Sequence, residues 1–493
     1  MSETAGPIFR PGRNCWRVET ATRMAVVIDA DDYFAHARAA MLKARRRIML
    51  IGWDFDARIT LGRQGEADEG PENLGEFVLW LANRNPELDI HLLRWDVGAV
   101  KTLARGSTLL TLARWLRHPR IHTRLDGHHP TGASHHQKIV TIDDALAFCG
   151  GIDMTGDRWD TREHRHADPR RKQPNGKPYK PWHDATTAIE GPMAEAVSAI
   201  ARDRWRRSGG DPLEALLPQS AGASPWPDGL EAHFRDVPVA VSRSVPVMAD
   251  QDAVTEIETL YLDLIARAKR FVYAESQYFA SRRIAEAIAR RLEEPEGPEF
   301  VLVNPLTAQG WLEPVAMDTA RARLHEALKR RDRYGRFRIY HPYTSGGEPI
   351  YVHAKILIAD DRILRIGSSN MNNRSMRLDT ECDVTVDAGA AGDEAAAARE
   401  IAAIRDGLMA EHLGTSIEAV REAIEKAGSL IEAVETLRGD GRSLRPYEVP
   451  DLGTVEKWLA DNEVLDPEGP EEMFEPFSRR GLFRRLAFRP ARG

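Results

Sequence analysis

Two stretches, His136–Asp143 (HQKIVTID) and His353–Asp360 (HAKILIAD), share the pattern H-x-K-x4-D. Side chains alternate along a strand, so a His and a Lys two positions apart lie on one face. Each stretch then delivers one imidazole and one ammonium to the same place. A single copy is a weak signal, because three fixed positions recur by chance. Two copies at matching depth in a repeated unit are much less easily accidental. Asp153 follows His136 at the interval at which Asn370 follows His353. Each motif also runs through a tight turn into a second apolar run: Lys138–Asp143 into Ala145–Gly151, and Lys355–Asp360 into Ile363–Gly367.

The repeat extends upstream. Ala44–Asp56 (ARRRIMLIGWDFD) and Ala266–Phe279 (ARAKRFVYAESQYF) both read as the basic end of a helix followed by a short apolar strand. Helical patterns at Tyr33–Leu42 and Ile257–Ile265 precede them. Strands alternating with amphipathic helices predict an α/β layered fold in each half. The expected divisions are an N-terminal extension (1–23), a first half (24–216), a linker (217–245), a second half (246–412) and a helical appendage with an Arg-rich tail (413–493). The linker rests on the Pro, Gly, Ser and Ala of Leu217–Leu230. In the appendage, Thr415 with Glu418 has capping-box spacing and predicts a helix running to about Leu437. Leu465–Phe477 is acidic. Ser478–Gly493 intersperses Leu482, Phe483, Leu486 and Phe488 among arginines, open to reading as an interfacial segment or as a solvated terminus.

Composition sets bounds. The 493 residues carry a net charge of −7, which argues against nucleic-acid binding by bulk electrostatics. The three cysteines, Cys15, Cys149 and Cys382, do not make a disulfide framework. Met1–Arg23 lacks the apolar core of a secretory leader, and no apolar run reaches membrane-spanning length. A monomer in the cytoplasm, or peripheral at a membrane surface, is expected, with export by a signal-less route as the alternative.

Paired His and Lys suit a phosphodiester. One imidazole attacks phosphorus, the other handles the proton of the leaving and entering oxygens, and the lysines neutralise the non-bridging oxygens. No metal and no cofactor is expected. The cluster His128, His129, His135, with His122 nearby, lacks a closing Cys or carboxylate and reads as a polar rim. Asp143 and Asp360 stand at strand ends, with a contact in the site and a turn-capping role both open.

The longer stretches resemble a known family. They are SHHQKIVTIDDALAFCGGIDMTGDRWDTREH (Ser134 to His164), PWHDATTAIEGPMAEAV from Pro181, Asp203-Arg204-Trp205, ESQYF from Glu275, and GEPIYVHAKILIADDRILRIGSSNMNNRSMRLDTE (Gly347 to Glu381). They resemble the phospholipase D family in its phosphatidylcholine-hydrolysing branch, from about Met24 to Val386, and the compact layout resembles bacterial members. The resemblance implies two similar α/β halves about a pseudo-twofold axis, with the site between them. It implies a phospholipid substrate cleaved to phosphatidic acid and a head-group alcohol through a phosphohistidine, with transfer to alcohols, and nucleic acid or another phosphodiester as the alternative substrate. It implies His136, Lys138, Asp143, His353, Lys355 and Asp360 as the catalytic set, with His136 as nucleophile. Asn370, Gln277 and Trp53 are expected to bind substrate. A carboxylate is expected to orient each histidine: Glu381 for His353, and Asp160 for His136, since His164 occupies the interval of Glu381 in the first half. Asp153 in the place of Asn370 breaks the symmetry.

Overall fold

The computed structural model describes residues 6–62, 69–96, 107–216, 224–308 and 317–449. Of the sequence features above, residues 217–223 of the linker, the acidic stretch and the Arg-rich tail lie outside them.

The strands are β1 (Arg17–Ile28), β2 (Arg47–Gly52), β3 (Asp89–Trp95), β4 (Ile121–Asp126), β5 (Ile139–Ile142), β6 (Leu146–Gly150), β7 (Trp182–His183), β8 (Ala185–Glu190), β9 (Phe234–Val245), β10 (Val254–Thr255), β11 (Phe271–Glu275), β12 (Glu299–Val303), β13 (Phe337–Tyr343), β14 (Tyr351–Val352), β15 (Ile356–Ala359), β16 (Ile363–Gly367), β17 (Glu381–Asp387) and β18 (Ser443–Pro446). The helices are α1 (Ala30–Leu42), α2 (Leu74–Arg84), α3 (Ser107–Arg117), α4 (Pro192–Arg207), α5 (Glu256–Arg267), α6 (Arg282–Leu292), α7 (Thr319–Arg331), α8 (Asn373–Arg377), α9 (Glu394–Leu413), α10 (Ile417–Ala427) and α11 (Leu430–Leu437).

One sheet runs β18-β13-β12-β11-β15-β16-β17-β9-β1-β8-β6-β5-β2-β3-β4. Its order reads alike outward from the centre: β1 and β9 pair antiparallel there, flanked by β8 and β17, then β6 and β16, β5 and β15, β2 and β11, β3 and β12, β4 and β13. An antiparallel central pair with equivalent flanks has a local twofold between its strands, as the resemblance implied. β5 (IVTI) and β15 (ILIA) are buried at every position, so neither shows the alternation of a half-exposed strand. One hydrophobic cluster joins both halves through Ile139, Ile356, Trp205 and Leu408. Two others are private, one about Phe77 and Phe148, the other about Leu264 and Phe300.

The helix predicted from Thr415 to Leu437 is two helices. Ser416, not Thr415, caps the first by accepting from Ala419 N–H, and Gly428 in the left-handed region (φ 66°) ends it. Ser429 then caps α11. The appendage also adds β18 to the sheet edge against β13. Ser224–Leu230 of the expected linker packs on the first half, where Lys43 Nζ donates to Trp226 O (2.7 Å). Among the described residues, no helix is long and apolar enough to cross a membrane.

Candidate active site between the two halves

The His-x-Lys parts of the paired motifs sit just before β5 and β15, not inside them. Their backbones are held across the halves. His136 N–H donates to Thr380 O (3.0 Å) and Thr380 N–H to Ser134 O (3.0 Å). In mirror fashion β7 pairs parallel with β14, and His353 N–H donates to His183 O (2.7 Å). Each motif is therefore stitched to a segment of the opposite half.

Those opposite segments carry the orienting carboxylates, which corrects the expected pairing. Glu381 binds His136, not His353: its two oxygens lie 2.9 and 3.0 Å from Nδ1. His353 Nδ1 is held by Asp184 Oδ2 at 2.6 Å. Asp160 touches neither histidine. It accepts from His164 Nδ1 (3.0 Å), Arg171 (3.0 Å) and Trp182 N–H (3.0 Å), and so supports the segment carrying Asp184 from behind. Glu381 opens β17 and Asp184 directly precedes β8, the equivalent strand. A longer connection between β6 and β8 separates sequence interval from structural position. The signal available in the sequence was Trp182-His183-Asp184 abutting an apolar run, as Thr380-Glu381 abuts its own.

With Nδ1 engaged by a carboxylate, Nε2 is the nitrogen that each ring leaves for other partners. Burial, reinforced by Lys138 and Lys355, holds the His136 pKa well below the usual range. Burial, Lys355, Arg158 and Lys138 do the same to His353. Each ring is thus within the field of both lysines, the electrostatic sign of convergence. Burial also lowers Lys355 to about 7 and raises Glu381 to about 8. Lys138 Nζ donates to His136 O (2.8 Å), and Lys355 Nζ donates to His353 O. Glu381 is further fixed by Ser368 Oγ and by Ser375 Oγ (2.7 Å).

Asp143 and Asp360 are not in the site. Asp143–Asp144 and Asp360–Asp361 have φ between 53° and 55° at both central turn positions. Two-residue hairpin turns of this hand favour Asp, Asn and Gly. Their carboxylates accept from the backbone at the start of β2 and β11. Asp143 takes Arg45, Arg46 and Arg47 N–H at 2.7–2.8 Å, and Asp360 takes Lys269, Arg270 and Phe271 N–H at 2.6–3.0 Å. The third motif position is a structural latch.

Asn370 and Gln277 do meet: Asn370 Nδ2 lies 3.4 Å from Gln277 Oε1, and Gln277 Nε2 donates to the hydroxyls of Tyr278 (2.9 Å) and Tyr351 (2.8 Å). Asp153 Oδ2 lies 3.3 Å from Lys138 Nζ, and its Oδ1 accepts from Trp53 N–H (3.0 Å). Trp53 stacks on Trp95 (5.6 Å). The symmetry break is therefore electrostatic: one lysine has a carboxylate beside it where the other half has an amide. Gly151 is required by close approach, since a Cβ there would meet Asp184 Oδ1.

Of the histidine cluster, His135 is fully buried beside Asp126 (3.5 Å) and cannot be rim. His122 stacks on His91 (4.6 Å), while His129 bonds Trp95 (3.1 Å) and so neighbours Trp53. Cys15, Cys149 and Cys382 are buried free thiols. A residue not singled out from sequence is Arg158, whose guanidinium stacks on Trp182 (4.1 Å), itself 5.1 Å from the His353 ring.

Comparison with known proteins agrees with this arrangement. A family model described as phospholipase D matches residues 40–285, and one described as cardiolipin synthase, PLD-like domain, matches 261–401. Phospholipase D alpha 1 of Carica papaya is 25% identical over 470 residues, covering 68% of this chain and 58% of that protein. Phospholipase D alpha 2 of Oryza sativa subsp. japonica is 26% identical over 507 residues (75% and 59%). The chain thus spans less than two thirds of these relatives. The crystal structure of phosphatidylserine synthase from Haemophilus influenzae Rd KW20 superposes with a TM-score of 0.56 at 12% identity, over 84% of this chain and 95% of that one, a likeness of fold.

Proposed function

Because the chain belongs to the phospholipase D-like superfamily with paired HKD motifs, we propose that it cleaves a glycerophospholipid of the phosphatidylcholine type to phosphatidic acid and a head-group alcohol, and passes the phosphatidyl group to other alcohols. The observation that carries this reading is the crossed pair His136–Glu381 and His353–Asp184, two imidazoles each oriented by the opposite half.

His136 Nε2 attacks phosphorus, and the bond from phosphorus to the head-group oxygen breaks. His353, as imidazolium, gives its Nε2 proton to that oxygen. Neutral His353 then takes a proton from water or an alcohol as its oxygen attacks phosphorus, and His136 leaves. His136 is the nucleophile here because its side chain is the more open, 16% exposed against 7% for His353. Burial and the two lysines disfavour imidazolium at His353, so the acid form depends on the substrate: the phosphodiester anion offsets the two lysines and raises both rings. Lys138, Lys355, Asn370 and Arg158 neutralise or bond the non-bridging oxygens.

Purified protein given a panel of phospholipid head groups with a primary alcohol should yield phosphatidic acid and phosphatidyl-alcohol by mass spectrometry, and His353→Ala should yield neither. Plasmid nicking abolished by His136→Ala, with no lipid product, would replace lipid by nucleic acid as substrate.

A further inference from the structure

Behind the Asp184–His353 pair lie four buried residues from three parts of the chain: Asp29, His164, His183 and Glu411. Asp29 precedes α1, His183 is in β7, and Glu411 is near the end of α9. His183 Nδ1 is 2.9 Å from Glu411 Oε1 and 3.2 Å from Asp29 Oδ1, and His164 Nε2 is 3.1 Å from Glu411 Oε1 and 3.5 Å from Asp29 Oδ2. Ligand atoms bound tetrahedrally at roughly 2.0 Å lie about 3.3 Å apart. The spacing is thus that of a coordination shell.

Two observations separate this cluster from a hydrogen-bond network. Asp29 Oδ2 is buried and accepts no hydrogen bond from any neighbour. Buried polar atoms without a partner are rare and costly. In addition, each histidine gives its other nitrogen to a carboxylate: His164 Nδ1 to Asp160 Oδ2 (3.0 Å) and His183 Nε2 to Glu275 Oε2 (2.7 Å). Carboxylate–histidine–metal relays have this form. Glu275 is satisfied without an ion, since its Oε1 accepts from Tyr273 (2.6 Å) and His412 (3.0 Å). Asp29 is held at φ 64°, ψ 158°, a backbone region nearly reserved to glycine, which the surroundings must enforce.

We propose that Asp29, His164, His183 and Glu411 bind one divalent transition-metal ion of the Zn2+ class, with a structural role. Two imidazoles and two carboxylates suit Zn2+ better than Ca2+ or Mg2+, which take oxygen sets. The ion does not touch the reacting phosphorus. It positions: Asp29 N–H donates to Asp184 O (2.8 Å), Asp184 N–H donates to Asp29 Oδ1 (3.0 Å), and His183 O accepts His353 N–H (2.7 Å). Glu411 ties α9, from beyond the second motif, to this assembly. A bound ion here departs from the expectation of a metal-free protein, which rested on the lysine pair alone.

The test is metal content of the whole chain, independent of turnover. Protein from zinc-supplemented cells, passed through a chelating resin, is measured by plasma mass spectrometry, and its zinc X-ray absorption edge is recorded. About one equivalent per chain is expected, with two imidazoles and no sulfur in the shell, falling at least tenfold in Glu411→Gln and His164→Gln. Less than a tenth of an equivalent in cooperatively folded protein overturns the proposal. So does zinc that both variants keep in full, or a shell containing sulfur. If the variants do not fold, the ligand set in the unaltered chain decides.

Discussion

Asp184 of the first half lies 2.6 Å from His353 of the second, and Glu381 of the second lies 2.9 Å from His136 of the first. Each histidine therefore has its tautomer set by the half it does not belong to.

Removing either carboxylate charge should leave a folded enzyme with the wrong tautomer. For Asp184→Asn and Glu381→Gln the expected fall in kcat is about 10³- to 10⁴-fold. The two differ with leaving group. A nitrophenyl ester needs no acid to depart, so Asp184→Asn and His353→Ala should still release nitrophenol in a single-turnover burst. Glu381→Gln and His136→Ala should give none. The reverse pattern would make His353 the nucleophile.

Asp143→Ala should act on stability rather than turnover. It strands three backbone N–H groups and puts Ala in a left-handed turn, at a cost of roughly 2–4 kcal/mol. Urea denaturation should show the loss, and kcat per folded molecule should stay within about twofold. Asp360→Ala should behave alike. A large loss of kcat without loss of stability would return these residues to the catalytic set.

Lys355, at about 7 in the free protein, couples anion binding to pH. Below that value the ammonium is present and a phosphodiester binds. As pH rises through it, the free enzyme loses the cation, and Kd should climb towards tenfold per pH unit. Titration calorimetry with a non-hydrolysable phosphodiester, whose own charge is constant between pH 6 and 8, should show this slope. Lys355→Arg should flatten it, because guanidinium keeps its proton.

Asp153→Asn copies the second half into the first. It removes the carboxylate beside Lys138 while an amide oxygen still accepts Trp53 N–H. The gain of one net positive charge, worth about 1 kcal/mol, should lower KM roughly fivefold. An unchanged or higher KM would show that Asp153 itself serves the reaction.

The duplication, the α/β layering and the histidine–lysine pairs were legible in the sequence, because they rest on strict local spacing. Local spacing was also the source of the errors. Asp143 and Asp360 carry the same spacing for a different reason, the demands of a left-handed turn plus three strand-end donors. Pairing Glu381 with His353 assumed that a half supplies its own parts. The exchange across the halves is a property of β7–β14 and of the Ser134–Thr380 bridge, contacts between residues far apart in sequence. The four residues Asp29, His164, His183 and Glu411 had no motif, since they come from three distant parts of the chain.

The central pairing of β1 with β9 has a mechanical consequence. It keeps its register from Arg17↔Val241 to Met24↔Phe234, while β17 holds the other edge of β9. A protein that takes in substrate by swinging two lobes apart needs a joint between them. Here the lobes share one continuous sheet and one hydrophobic cluster. The separations within the crossed pairs His136–Glu381 and His353–Asp184 are therefore fixed by one shared sheet and core rather than across a joint between lobes.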